Sequence, residues 1–155
     1  MTRQTLESLR GRRLMALDYG MRRIGVAVCD ELHILVSTRP VIDNTASVLE
    51  DLRRVLERER TEVLLVGVPR LHDERTTPII QEIEKFIVSI RAALSIPVHE
   101  IDEAFSTKEA RRVMIQSGMK QKRRQTKGVK DQVAAAVMLE SVLEEVRSLG
   151  PGGVI

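Results

Sequence analysis

Aromatic side chains are nearly missing from this chain, which has no tryptophan, one tyrosine and two phenylalanines in 155 residues. Val, Ile, Leu, Met and Ala must therefore fill the interior, and a platform of stacked aromatics for single-stranded nucleic acid is disfavoured. The one cysteine, Cys29, excludes an internal disulfide framework and argues against a Cys-rich zinc site. It lies in a strand-like run without a Cys-His-Asp constellation and reads as a buried thiol rather than a nucleophile. His33, His72 and His99 stand in separate segments with no metal-binding spacing, so a three-histidine centre is not expected. There is no glycine-rich loop ending in Gly-Lys-Ser or Gly-Lys-Thr, and ATP use is not indicated. No run approaches the roughly 18 apolar residues of a membrane span, and MTRQTLESLRGRR lacks the apolar centre of a signal peptide. A cytoplasmic protein without a membrane partner is the expectation.

Charge is present in quantity but unevenly. The formal net charge is only +3, yet Lys120, Lys122, Arg123, Arg124, Lys127 and Lys130 fall in one short stretch, KQKRRQTKGVK, and Arg3, Arg10, Arg12 and Arg13 mark the other end. Such local density suits phosphate contacts that give affinity without sequence choice, although a charge run is also what a solvated loop looks like. Arg22 and Arg23 in the first turn extend the same candidate nucleic-acid surface.

The apolar pattern predicts one domain over residues 1–155, with a polar lead-in over about 1–12 and a flexible tail from about 148 to 155. Leu14–Tyr19 and Ile24–Cys29 read as a β-hairpin closed at Gly20, and 34–42 as a third strand. Helical spacing of Val48, Leu49, Leu52, Val55 and Leu56 predicts a helix over 45–60. Val63–Val66 closes at Gly67 and Pro69 like a buried parallel strand. A helix follows from Ile79 to Leu94, then a short strand from Pro97 to Ile101. Ser106 and Glu109 form a capping-box pattern opening a helix that Gly118 ends. The last helix is expected from Val129 to about Arg147. The order predicts an α/β fold with a mixed five-stranded sheet, a three-strand antiparallel meander followed by helix-connected parallel strands, and helices on both faces.

Three acidic positions stand out. Asp18 interrupts the apolar run LMALDYG, where an ionised carboxylate needs hydrogen bonds, a cation or a metal to offset lost hydration; a turn aspartate capping the hairpin is the alternative. Asp102 and Glu103 follow the last strand, at the sheet edge where open α/β folds bind ligands, or serve the positive end of the next helix. Asp131 is expected in the first turn of the final helix, where an acid also favours the dipole; Ala134, Ala135 and Ala136 beyond it would let the helix approach the sheet. Oxygen donors of this kind suit Mg²⁺ or Mn²⁺, and two such ions about 4 Å apart stabilise both oxygens of a phosphodiester displacement.

The string ALDYGMRRIGVAVCD resembles the opening motif of the YqgF/RuvX family, nucleases of pre-16S ribosomal RNA related to Holliday junction resolvases. LLVGVP, IDEAFSTKEA and VKDQVAAAVML agree in the same order, so the resemblance spans Leu14 to about Leu143. It implies a ribonuclease H-like fold and metal-dependent phosphodiester cleavage in maturing the 5′ end of small-subunit ribosomal RNA. It also places the family's acids on Asp18, Glu103 and Asp131, with Asp102 as substitute ligand. Two departures are visible: Ala104 stands where the family usually has arginine, and RLHDERTTP follows Pro69 in place of a glycine-containing turn. Loss of that arginine removes a phosphate or carboxylate partner, for which Arg111 or Arg112 could substitute. Beside a nuclease of structured RNA, two readings remain open: a resolvase of branched DNA, which would call for a homodimer, and a binding factor that kept the fold without the chemistry.

Overall fold

A computed structural model describes residues 1–69, 76–102 and 127–151, with side chains in the last stretch from Gln132 onward. The predicted capping box at Ser106 and the helix it opens lie outside these residues. In chain order the elements are α1 (Arg3–Ser8), β1 (Leu14–Tyr19), β2 (Arg23–Cys29), β3 (Val36–Asp43), α2 (Val48–Glu59), β4 (Val63–Val68), α3 (Pro78–Ala93), β5 (Val98–Asp102) and α4 (Lys127–Ser148).

The five strands form one mixed sheet in the order β3-β2-β1-β4-β5. The first three pair antiparallel, and β4 and β5 join β1 in parallel. This is the predicted meander with helix-connected parallel strands. Strand β4, buried along its whole length, and the Leu14–Leu17 part of β1 are written as continuous apolar runs, because a strand with helices on both sides has no polar face.

Strand alternation divides the core in two. Met15, Leu17, Leu64, Val66, Val68 and Val98 face α2 and α3, which bring Leu52, Leu56, Ile83, Phe86 and Ile90. Leu14, Ala16, Ala27, Cys29, Leu65 and Ile101 face the other way, against Met138, Leu139, Val142 and Leu143 of α4. Each fully buried leucine contributes about 1.5–3 kcal/mol by leaving water.

Helix α3 starts on a Thr77 cap, whose Oγ1 accepts from the Ile80 amide at 3.3 Å, followed by Pro78; this satisfies an orphan donor where proline costs nothing. Helix α2 stops where Arg60 enters the left-handed region at φ 55, the turn that closes many helices.

Three expectations shift. The polar lead-in contains α1, which packs Leu6 and Leu9 on the α4 side of the sheet. The third strand begins at Val36 rather than residue 34, leaving Ile34 and Leu35 exposed. Their position follows from His33, whose backbone turns left-handed at φ 55 while its Nε2 pairs with the Arg12 carbonyl at 2.8 Å. The final helix starts at Lys127, two residues before the predicted Val129.

Candidate active site

Asp18 is the fifth residue of the central strand β1 and is half-buried. By alternation it belongs with Leu14 and Ala16 on the face that α4 covers. Its partner on β2 is Gly25; on β4 the ladder pairs Leu17 with Val66, so the next position along is Gly67. Both lateral neighbours of Asp18 are thus glycines, and neither sets a side chain beside the carboxylate on that face. Glycine inside a strand commonly marks such a close approach by a ligand or another backbone.

The turn after Asp18 is held from a distance. Asn44, just beyond β3, donates Nδ2 to the Gly20 carbonyl at 2.9 Å and its amide to the Arg22 carbonyl at 2.8 Å. A Cβ on Gly20 would lie 2.4 Å from the Arg23 carbonyl oxygen, which explains the residue at this position. Of the two arginines assigned to the nucleic-acid surface, Arg22 is exposed at the turn, and Arg23 opens β2 half-buried opposite Asp43. By the same alternation Arg23 shares the face of Asp18.

Asp102 ends β5 opposite Val68. Val68 and Val98 belong to the α2/α3 core, so Asp102 falls on the sheet face away from Asp18. The register separates these two acids instead of bringing them together. His99 and Ile101, the odd-numbered positions of β5, share the Asp18 face through their partners Leu65 and Gly67. Burial, assisted by the Arg91 charge, lowers the basicity of His99, so it offers a neutral imidazole at neutral pH. Glu103 lies outside the described residues, as do Lys120, Lys122, Arg123 and Arg124, together with Ala104, Arg111 and Arg112.

The backbone of α4 places the third acid. Gln132 Nε2 donates to the Arg39 carbonyl at 2.6 Å, whereas Arg147 at the far end donates to the His33 carbonyl at 2.8 Å. The helix therefore runs from the Asp18 end of the sheet toward the Leu14 end. Position 131 is one turn before Ala135 on the stripe continued by Leu139, both fully buried against the sheet. The expectation that Asp131 occupies the first helical turn needs correction: the helix opens at Lys127 and its first turn holds no acid. Dipole stabilisation fades beyond that turn, so it does not account for an aspartate at 131. Lys127 and Lys130 fall inside the first turn instead, where the positive helix end disfavours cations.

No three His, Cys, Asp or Glu side chains near enough to share a metal ion occur among the described residues, which do not include Glu103 or the Asp131 side chain. What is present fits a hard cation: a half-buried carboxylate flanked by glycines, with the helix that carries a second carboxylate starting over the same edge. Oxygen donors select Mg²⁺ or Mn²⁺ over softer metals. Asn44 and Gln132, which fasten the two sides of this edge, carried no signal in the sequence because their bonds reach 24 and 93 residues along the chain.

Comparison with known proteins gives a consistent picture. The family model described as RuvX, Holliday junction resolvase, matches residues 12–145. A protein of Halothermothrix orenii named "Putative pre-16S rRNA nuclease" is 37% identical over 133 residues, covering 84% of this chain and 94% of its own length. One of Bacteroides fragilis with the same name is 32% identical over 136 residues, with 87% and 98% covered. Among solved structures, Thermus thermophilus RuvC in complex with a Holliday junction superposes with a TM-score of 0.56 at 17% identity, covering 86% of this chain and 95% of that one. Fowlpox virus resolvase bound to junction DNA gives the same TM-score and identity, with 90% and 99% covered. At that identity the likeness establishes the fold, the ribonuclease H-like sheet of the resolvases.

Proposed function

The chain belongs to the RuvX family, and from that premise we propose that it is a divalent-metal-dependent nuclease of the cytoplasm, hydrolysing phosphodiester bonds at the 5′ end of pre-16S ribosomal RNA. The observation that carries this reading is Asp18, a half-buried carboxylate on the central strand with glycine at each flanking position, beneath the start of α4. Asp18, Glu103 and Asp131 would hold Mg²⁺ or Mn²⁺. Strand β5 is two strands from β1, about 10 Å, and its odd-numbered positions share the Asp18 face. Asp102 falls on the opposite face, beside Val68, which favours Glu103 as the ligand. When bound, the cation supplies Lewis-acid charge to the scissile phosphate and lowers the pKa of attacking water.

The remaining work falls to the chain's own residues. The three carboxylates would hold the cation, and Arg22, Arg23, Lys127 and Lys130, with Lys120, Lys122, Arg123 and Arg124, would grip neighbouring phosphates and so orient the backbone. Lysines in the first turn of α4 oppose the helix dipole, so a ligand explains them better than helix stability does.

The test sets wild-type protein and Asp18→Asn side by side on a precursor ribosomal RNA fragment and a four-way DNA junction, with Mg²⁺ or Mn²⁺. Wild type cuts the RNA, and Asp18→Asn loses about 100-fold or more, equivalent to about 3 kcal/mol of transition-state stabilisation. Equal cleavage by the two proteins would remove Asp18 from the mechanism. The family model's description favours one second reading, a resolvase; paired symmetric cuts in the junction by a dimer, with the RNA untouched, would establish it.

A further inference from the structure

Gln132 follows the proposed ligand Asp131 directly, and its Nε2 donates to the Arg39 carbonyl at 2.6 Å in a part-buried setting. Arg39 is itself clamped. Its guanidinium meets Glu59 of α2 twice, Nε to Oε1 at 2.6 Å and Nη2 to Oε2 at 3.3 Å, the paired geometry that fixes an arginine best. That clamp lies on the opposite face of the sheet from α4, so Arg39 ties the start of α4 to both α2 and the sheet.

The tie is made at an irregularity. Pairing of β2 with β3 steps from Val26↔Arg39 to Ile24↔Ile42, so Pro40 and Val41 together face Gly25, the residue opposite Asp18. A β-bulge of this kind disturbs the ladder and bends the strand. Proline contributes no amide there, and the Arg39 carbonyl immediately before it receives the Gln132 amide.

We propose that Gln132 is a positioning residue, holding the first turns of α4 against the β3 bulge so that Asp131 stands at the distance from Asp18 that one shared cation site demands. The inference rests on the reading of Asp131 as a metal ligand. Ligand positions need holding to about 0.5 Å, and among the described side chains of the helix Val133 and Ala135 are the first buried ones, two and four residues beyond Asp131. Gly128 in the first turn weakens the helix there. A lateral hydrogen bond at 132 adds a directional restraint, which apolar packing, being non-directional, does not supply.

The experiment measures Mn²⁺ binding to the full chain by titration calorimetry, without nucleic acid, for wild type, Gln132→Met, Gln132→Asn and Asp131→Asn, each with its thermal unfolding midpoint. Methionine keeps the length and lacks the donor; asparagine keeps the amide and is one methylene short. Both weaken Mn²⁺ binding about tenfold, the lower end for loss of an outer-shell partner, whereas their midpoints stay within a few degrees of wild type. Wild-type Mn²⁺ affinity in both variants, with Asp131→Asn deficient, overturns the positioning role and leaves the ligand reading standing. Unchanged binding in Asp131→Asn overturns both.

Discussion

At the scale of single residues, burial and local geometry set properties that composition alone leaves open. Cys29 is sealed between β1 and α4, and burial pushes its thiol from 9.0 to about 11, with Asp30 and Glu140 adding to the rise and the Leu14 backbone and Arg147 opposing it. At pH 8 a thiol reagent should leave the folded protein unmodified and label the urea-unfolded chain. Because the folded thiol keeps its proton longer than the unfolded one, the stability it contributes is complete below pH 9.0 and declines as pH rises toward 11. Urea midpoints at pH 8 and pH 10 check the sign. Gly20 is constrained differently, by the Arg23 carbonyl 2.4 Å from where a Cβ would sit. Gly20→Ala must displace backbone and should cost about 1–3 kcal/mol, read by chemical denaturation, and should lower cleavage by moving the turn that follows Asp18.

At the scale of elements, the strands and long helices were legible because each writes its own period into the chain. The apolar runs of β1 and β4 and the 3.6-residue stripes of α2 and α3 depend on local sequence and burial together. Helix α1 was not legible: six residues offer one buried apolar position, Leu6, too little for a period. The start of α4 was misplaced because Gly128 reads as a breaker until the helix is seen to run through it. This helix is held mainly by its buried stripe. Leu139→Ala removes a side chain with no exposure and should cost about 2–5 kcal/mol, measured as a lower urea midpoint with unchanged slope. Asp18 stood out as a charge in an apolar run, but the choice between Asp102 and Glu103 did not. Adjacent residues of a strand point to opposite faces, and only the pairing of β5 with β4 puts Asp102 on the face away from Asp18.

At the scale of the whole molecule, the sheet gathers at one edge the carboxylate of Asp18, the turn carrying Arg22 and Arg23, and the first turn of α4 with Lys127 and Lys130. No described helix is long and apolar enough to cross a membrane. If this edge meets a phosphate backbone, affinity must fall with salt. Log affinity for single-stranded RNA should drop against log salt with a slope of about 0.7 per phosphate contacted. Replacing Lys127 and Lys130 together by alanine should flatten that slope by about 1.4, measured by fluorescence anisotropy from low to moderate salt. An unchanged slope would take both lysines out of the interface.

The chain by itself determined the order and kind of its main elements and the presence of a charge where a strand should be apolar, because periodicity, turn chemistry and the cost of burying a carboxylate act over a few neighbouring residues. Only the tertiary structure decided that Asp102 lies on the face away from Asp18, that glycines flank Asp18, and that Gln132 reaches the bulge at Arg39. Those outcomes depend on strand register and on contacts between segments far apart in the chain, which no local pattern encodes.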